Sequence, residues 1–373
     1  MTVPLLDLRV QHQALREPLA AAVQRVADSQ QFILGSEVAE FEAELAHFVG
    51  ARFAVGVSSG SDALLCALMA LGVGSGDEVV TSPFTFIATA EAIVRCGATP
   101  RFVDVERATL NLNPAELAPA LTPRTKAVIP VHLFGHSARI DAIQDLCAAR
   151  GIAVIEDAAQ ALGGAYRGRK LGTWGQIGCY SFFPSKPLGA FGDGGMLVTD
   201  DADLAERCRE LRSHGTRDKQ TFVRIGGNFR LDALQAAILR VKLPHLPAWI
   251  EARQTHARAY SEALQGIEAV TLPASEPGAS SAWAHYTLRV PASRRSELIE
   301  YLRGRGVQTA VYYPRPLHLQ PCFANLDLKH GVLPESERAA EQVLSIPLYP
   351  ELDVEQREAV AAAIREFFGA PRR

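Results

Sequence analysis

Short apolar runs and amphipathic stretches alternate through the first half of the chain, and that alternation limits the fold more than any other feature. FAVGV from Phe53, EVVTS from Glu78, RFVDV from Arg101, KAVIPVH from Lys126 and IAVIED from Ile152 read as buried strands. Residues 62–71, 87–96, 114–120 and 138–149 between them carry helical spacing. Such repeats predict a mostly parallel sheet with helices on both faces. Gly178 and Met196 bring the strand neighbourhoods to about seven, the last a hairpin partner across GDGG. Ligands of these sheets bind at the carboxyl ends of the strands. Ser59 to Asp62, Phe84 to Phe86, His132, Asp157 and Lys186 all follow a strand directly and so gather on that edge.

Ahead of the sheet, helical spacing covers Gln13 to Ser29 and Ser36 to Val49, the second with a capping signature in Ser36, Glu37 and Glu40. At 373 residues the chain outgrows a single core, and prolines 244 and 247 mark a change of pattern. Residues 1–245 are expected to form a large domain and 246–373 a smaller α+β one, with TLRV, TAVYYP and a last helix from Val354 to Phe368. Residues 273–281 read as an exposed loop. A net charge of −3 gives no basic excess for nucleic acid, and no run has the length of a membrane span. The six cysteines show no metal-type spacing, so no metal is expected, and they read as reduced core residues of a cytoplasmic protein.

Three stretches carry chemistry. In SSGSDALL a strand turns through Ser58, Ser59 and Gly60 into a helix whose N-terminus offers free N–H groups to an anion such as phosphate, with Ser61 or Asp62 as its cap. In SFFPSKPLGAFGDGG, Pro184 and Pro187 end a strand around Lys186, and the glycines that follow let backbone approach closely. A lysine held there, partly desolvated, has its amine freed for a Schiff base with a carbonyl. Asp157 ends a buried strand, where a carboxylate needs a cation to meet it; a pyridinium nitrogen would serve. Taken singly, Lys186 reads as a turn lysine, Asp157 as an ion-pair residue, Asn228 as a turn former and Arg230 as a surface charge. Their joint occurrence gives them weight.

These motifs, with GDEVVTSPFTFIATA, KAVIPVHLFG, VIEDAAQALG, LDALQAAIL and SIPLYPEL, run over nearly the whole chain. Together they resemble the DegT/DnrJ/EryC1/StrS family of sugar-nucleotide aminotransferases, pyridoxal 5'-phosphate enzymes of fold type I. The resemblance implies that Lys186 binds the cofactor covalently and later shuttles the proton, and that Asp157 pairs with the pyridine nitrogen. It also implies that Gln160 bonds the ring hydroxyl and that an aromatic covers a ring face, Phe86 being the family position and Phe84 the second candidate. Gly60, Ser61, Asp62 and Ser181 would hold the phosphate, with Asn228 reaching it from the second subunit of a homodimer.

Lys186 separates the chain from family dehydratases, which have histidine there, and points to amino transfer from glutamate to a nucleotide-linked keto-sugar. PSKPLGAFGDGG and TAVYYPRPLHLQP look closest to the branch that aminates the 3-keto group of a UDP-2-acetamido-2-deoxy uronic acid. In that branch Arg230 would pair with the sugar carboxylate, and Tyr312, Tyr313 and His318 are further candidate contacts. The chain departs from the branch at Phe229 and in reading YYP where HYP is common. The alternatives are a neutral dTDP- or UDP-keto-deoxysugar as acceptor, dehydration on the same cofactor, and a non-catalytic regulator that binds the cofactor without turnover.

Overall fold

The structure is a computed structural model that describes residues 2–370. In chain order its strands are β1 (Phe53–Val57), β2 (Glu78–Thr81), β3 (Thr99–Phe102), β4 (Thr125–Ile129), β5 (Ala153–Asp157), β6 (Ala165–Tyr166) and β7 (Arg169–Lys170). β8 (Ile177–Ser181), β9 (Gly195–Thr199), β10 (Ala279–Ser280), β11 (Tyr286–Arg289) and β12 (Val343–Ile346) follow.

A seven-stranded sheet has the order β1-β9-β8-β5-β4-β2-β3. β2 pairs in parallel with β3 and β4, and β5 with β4 and β8; β9 alone in this sheet runs antiparallel to its neighbours, β8 and β1. The connection from Ser181 to Gly195 contains no helix to cross a face, so the chain comes straight back beside β8. β1, β5 and β8 consequently end on the same edge. Successive residues face opposite cores, Val154 with Phe41, Val128 and Leu239, and Ile155 with Leu64, Ile129 and Leu211.

A third cluster joins Tyr260, Tyr286, Leu302, Leu344 and Ile364 around the β11–β12 pair. Val3 belongs to it too, so the chain start packs with the C-terminal part rather than with the large domain expected to contain it. The helix Leu246–Leu264 begins where the division was expected and spans the junction. Its Leu246 and Ile250 join the core beneath the sheet, whereas Ala257 and Leu264 join the third cluster.

Local expectations shift in four places. The first helical stretch breaks at Leu15 into Arg9–Ala14 and Arg16–Ser29. Gly35, not Ser36, caps the next helix, with no side-chain bond. Ser59 rather than Ser61 or Asp62 caps the helix Gly60–Ala70. Part of the loop expected over 273–281 is ordered by pairing, since β10 adds to β6, and Ser281 is buried.

Candidate active site

The helix Gly60–Ala70 starts at the carboxyl end of β1, and its first turn is built from serine hydroxyls. Ser59 Oγ accepts from the Asp62 N–H at 3.0 Å, while Ser58 and Ser59 donate to the Asp62 carboxylate at 2.6 and 3.2 Å. Arg95 lies 3.7 Å from the same carboxylate. Asp62 therefore spends its donor and its charge inside the turn, contrary to the expectation that it offers a donor to phosphate. The N–H groups of Gly60 and Ser61 remain at the helix end, where no intrahelical acceptor exists and the dipole is positive. Ser181, at the end of β8, lies against this turn; a Cβ on Gly60 would come within 2.7 Å of Ser181 Cβ. Gly195 makes a similar approach, its added Cβ falling 2.3 Å from the Ser59 carbonyl oxygen.

Asp157 stands at the end of β5, 5% exposed. Thr89 donates its hydroxyl to one carboxylate oxygen at 2.7 Å, and the Ala159 N–H approaches the other at 3.2 Å. Desolvation nonetheless holds its pKa above the usual carboxylate value, with Thr89, Ala159 and Lys186 pulling the other way. Burial pulls the partly buried Lys186 ammonium down to about 8, against the attraction of Asp157. A base and an acid are thus shifted toward each other on one edge.

Gln160 is positioned by backbone, its Oε1 accepting from the Phe134 N–H at 2.6 Å, and its Nε2 reaches Tyr313 Oη at 3.4 Å. Tyr313 stands 6.3 Å from the exposed Phe86 ring and 6.2 Å from Phe84, so the 312–313 loop closes over the aromatic side of the edge. Arg230 bridges by backbone to Val57, and its buried Nε has no acceptor among the described residues. Asn228 is exposed and pairs by backbone with Ser213.

His318 follows Leu317, whose N–H donates to the Pro83 carbonyl at 2.8 Å. It is 2% exposed, with Nε2 bonded to the Glu337 carboxylate at 3.1 Å and Nδ1 without a partner among the described residues.

Two side chains that support the edge escaped the motif reading. Thr89 is one; its place in the first turn of the helix Ala88–Arg95, four residues from Thr85, was the available signal. Lys242 is the other. It is 4% exposed, donates to the Gly189 carbonyl at 2.7 Å and lies 5.0 Å from the Phe191 ring, while Gln235 accepts from the Phe191 N–H at 2.8 Å. Together they clamp the turn that follows Lys186. A lysine inside the apolar run ILRVKL hinted at this. A groove of about 530 Å³ between the helices Leu246–Leu264 and Val354–Phe367, floored by Ala259 and Ala361, contains none of these residues.

The profile of the DegT/DnrJ/EryC1/StrS aminotransferase family matches residues 13–365. The chain belongs to that family. This aminotransferase is 47% identical over 370 residues to a pleiotropic regulatory protein of Geobacillus stearothermophilus, each chain being 99% covered. It is 44% identical to the dTDP-3-amino-3,4,6-trideoxy-alpha-D-glucose transaminase of Streptomyces venezuelae, covering 98% of this chain and 96% of that one. Identity to the UDP-2-acetamido-2-deoxy-3-oxo-D-glucuronate aminotransferase of Pseudomonas aeruginosa is 43%, over 97% and 99% of the two chains. The crystal structure of DesV from S. venezuelae in complex with a ketimine intermediate superposes with a TM-score of 0.97 at 43% identity, covering 99% of both chains.

The aminotransferase is pyridoxal-phosphate-dependent, and its residues fit that group. The helix end at Gly60 suits a phosphate, and the under-compensated Asp157 carboxylate suits a protonated ring nitrogen. The depressed Lys186 amine suits the aldehyde carbon. Among the described residues no helix is long and apolar enough to cross a membrane, and no cluster of histidine, cysteine or carboxylate side chains has the make-up of a metal site.

Proposed function

We propose that this aminotransferase moves an amino group from glutamate to a nucleotide-linked keto-sugar, the best-supported acceptor being the 3-keto group of a UDP-2-acetamido-2-deoxy uronic acid. The observation that carries amino transfer is the meeting of the buried Asp157 at the end of β5 and the partly buried Lys186 after β8 on the edge where the helix from Gly60 begins, with the Lys186 amine lowered and the Asp157 carboxyl raised by burial. In this reading Gly60, Ser61 and Ser181 hold the phosphate, Asp157 keeps the ring nitrogen protonated, Gln160 meets the ring hydroxyl, and Phe86 covers the ring. When bound, the cofactor supplies the electron sink that makes the donor Cα–H acidic. Lys186, with a substantial neutral fraction near pH 8, takes that proton from the donor carbon and later delivers one to the acceptor carbon. The donor half-reaction and the acceptor half-reaction follow each other at the same lysine.

For the uronic acid, the support is the unpartnered, buried Nε of Arg230 beside β1, a guanidinium edge to which a carboxylate is the natural complement. Tyr312 and Tyr313 would line the same approach. A neutral keto-deoxysugar is the second reading, favoured by the Streptomyces relative and by Tyr312 standing where the uronic-acid branch commonly has histidine. A regulator without turnover fits the Geobacillus relative's name but gives no use to a depressed Lys186.

A homodimer with shared sites completes the proposal. The segment leading to Asn228 exposes Phe222 at 61%, Val223 at 60% and Ile225 at 88%, apolar surface that a second copy would cover while Asn228 reaches its phosphate. The test converts the protein with glutamate and then offers it the uronic acid and its neutral counterpart. Arg230→Ala should lower turnover of the acid by about a hundredfold and of the neutral sugar far less. Equal loss on both would remove Arg230 from carboxylate recognition.

A further inference from the structure

His285, which has no part in the scheme above, stands between the cofactor-facing residues and the 312–313 loop. The Phe134 N–H donates to Gln160 Oε1 at 2.6 Å, and the Phe134 carbonyl accepts from the N–H groups of Ala284 at 2.9 Å and His285 at 3.4 Å. One residue's backbone thereby fixes Gln160 and His285 relative to each other. The half-buried imidazole packs 4.6 Å from the Tyr312 ring and edge-on to Phe134 at 5.9 Å. Among the described residues no hydrogen bond engages either ring nitrogen. Burial pushes the imidazole down to about 3, and the Lys186 and Arg253 cations add to the effect, which puts the ring within electrostatic reach of the Lys186 amine.

A ring kept neutral at working pH offers one donor and one acceptor. That matches a hydroxyl, which also donates and accepts, and it matches poorly the carboxylates of glutamate, which need charge or several donors. Its neighbour Tyr312 has the same polarity. We propose that His285 is a specificity-determining residue that hydrogen-bonds a hydroxyl of the sugar acceptor and takes no part in the glutamate half of the reaction; this rests on the keto-sugar reading given above.

The two half-reactions are measured separately, by the absorbance change of the cofactor-loaded protein, for wild type, His285→Ala and His285→Gln. Glutamate is the donor. The acceptors are UDP-2-acetamido-2-deoxy-3-keto-glucuronic acid and dTDP-3-keto-4,6-dideoxyglucose. With whichever sugar the wild type uses, His285→Ala should lose about tenfold or more in kcat/KM. Its glutamate half-reaction should stay within about twofold, and His285→Gln, which keeps a donor and an acceptor, should regain most of the loss. Parallel losses in both half-reactions would make His285 merely structural, and an unchanged sugar half-reaction would remove it from recognition; either overturns the proposal. Wild type inactive on both sugars would sink the acceptor reading itself and this inference with it, an outcome read without any variant.

Discussion

Glu156 and Asp157 are consecutive on β5 and both are withdrawn from water, at 0% and 5% exposure, yet their surroundings differ in kind. Glu156 accepts from His132 Nε2 at 2.9 Å, from the N–H groups of Gly172 and Gly175 at 2.7 Å each, and from the Trp174 N–H. Because His132 Nδ1 accepts from the Ala138 N–H at 3.1 Å, Nε2 is the nitrogen that carries the proton to Glu156. Four donors meet this carboxylate, and it ties β5 to the 172–175 turn. Asp157 has one hydroxyl and one long N–H contact, and its pKa stays raised by desolvation. The difference separates two kinds of buried charge: the first is satisfied by the fold, while the second keeps a desolvation penalty that, on the proposed reading, a protonated ring nitrogen would meet.

The largest effect should come from the residue opposite Asp157. Lys186→Ala should abolish amino transfer, by about 10⁴-fold or more, and remove the visible band of the loaded protein. A glutamate half-reaction unchanged in that variant would leave Asp157 without its catalytic partner and break the contrast at its functional end.

Next come the two carboxylates themselves. Asp157→Asn should lower turnover by about 10²–10³-fold while the cofactor-free protein stays folded. Glu156→Gln should instead lose about 3 kcal/mol of stability, since an amide nitrogen would face backbone donors, with much of the turnover per folded molecule retained. The pH dependence has a definite sign. An acid whose folded pKa is raised above its unfolded value binds more protons when folded, so its contribution makes stability fall as pH climbs from the unfolded pKa to the folded one. In the cofactor-free protein Asp157→Asn should therefore remove part of the stability lost as pH rises above 3.8, seen as a difference from wild type in chemical unfolding. A variant curve parallel to wild type would mean that Asp157 carries no such penalty.

The contrast was only half visible in the sequence. Runs such as IAVIED and KAVIPVH are apolar enough to declare buried strands, and the carboxyl-edge rule then placed Asp157 and Lys186 together. What distinguishes Glu156 from Asp157 comes from the 172–175 turn, from His132 and from Thr89, contacts set by sheet order and absent from local pattern. The same holds for Lys242, whose partner Gly189 is far away in sequence, and for His285, which reaches the site through Phe134. For His318, next to the TAVYYP stretch along the chain, the bond to Glu337 was likewise set by distant packing.

The smallest effect sharpens the account at the turn beneath Lys186. Lys242→Met removes the ammonium from Gly189 and Phe191 but keeps an unbranched stem only one atom shorter, and it should lower kcat by about tenfold or less with KM for glutamate little changed. Faster hydrogen exchange of the amides from Leu188 to Phe191 should accompany it. Unaltered exchange would show that Gln235 alone holds the turn.

The central claim, that Asp157 is left under-compensated in order to meet a protonated ring nitrogen, is tested most directly by ¹⁵N NMR of the protein loaded with pyridoxal phosphate labelled at that nitrogen. The predicted result is a pyridinium shift at neutral pH in wild type and Glu156→Gln, and a neutral-pyridine shift in Asp157→Asn. A neutral ring in wild type, or a protonated one in Asp157→Asn, would contradict it.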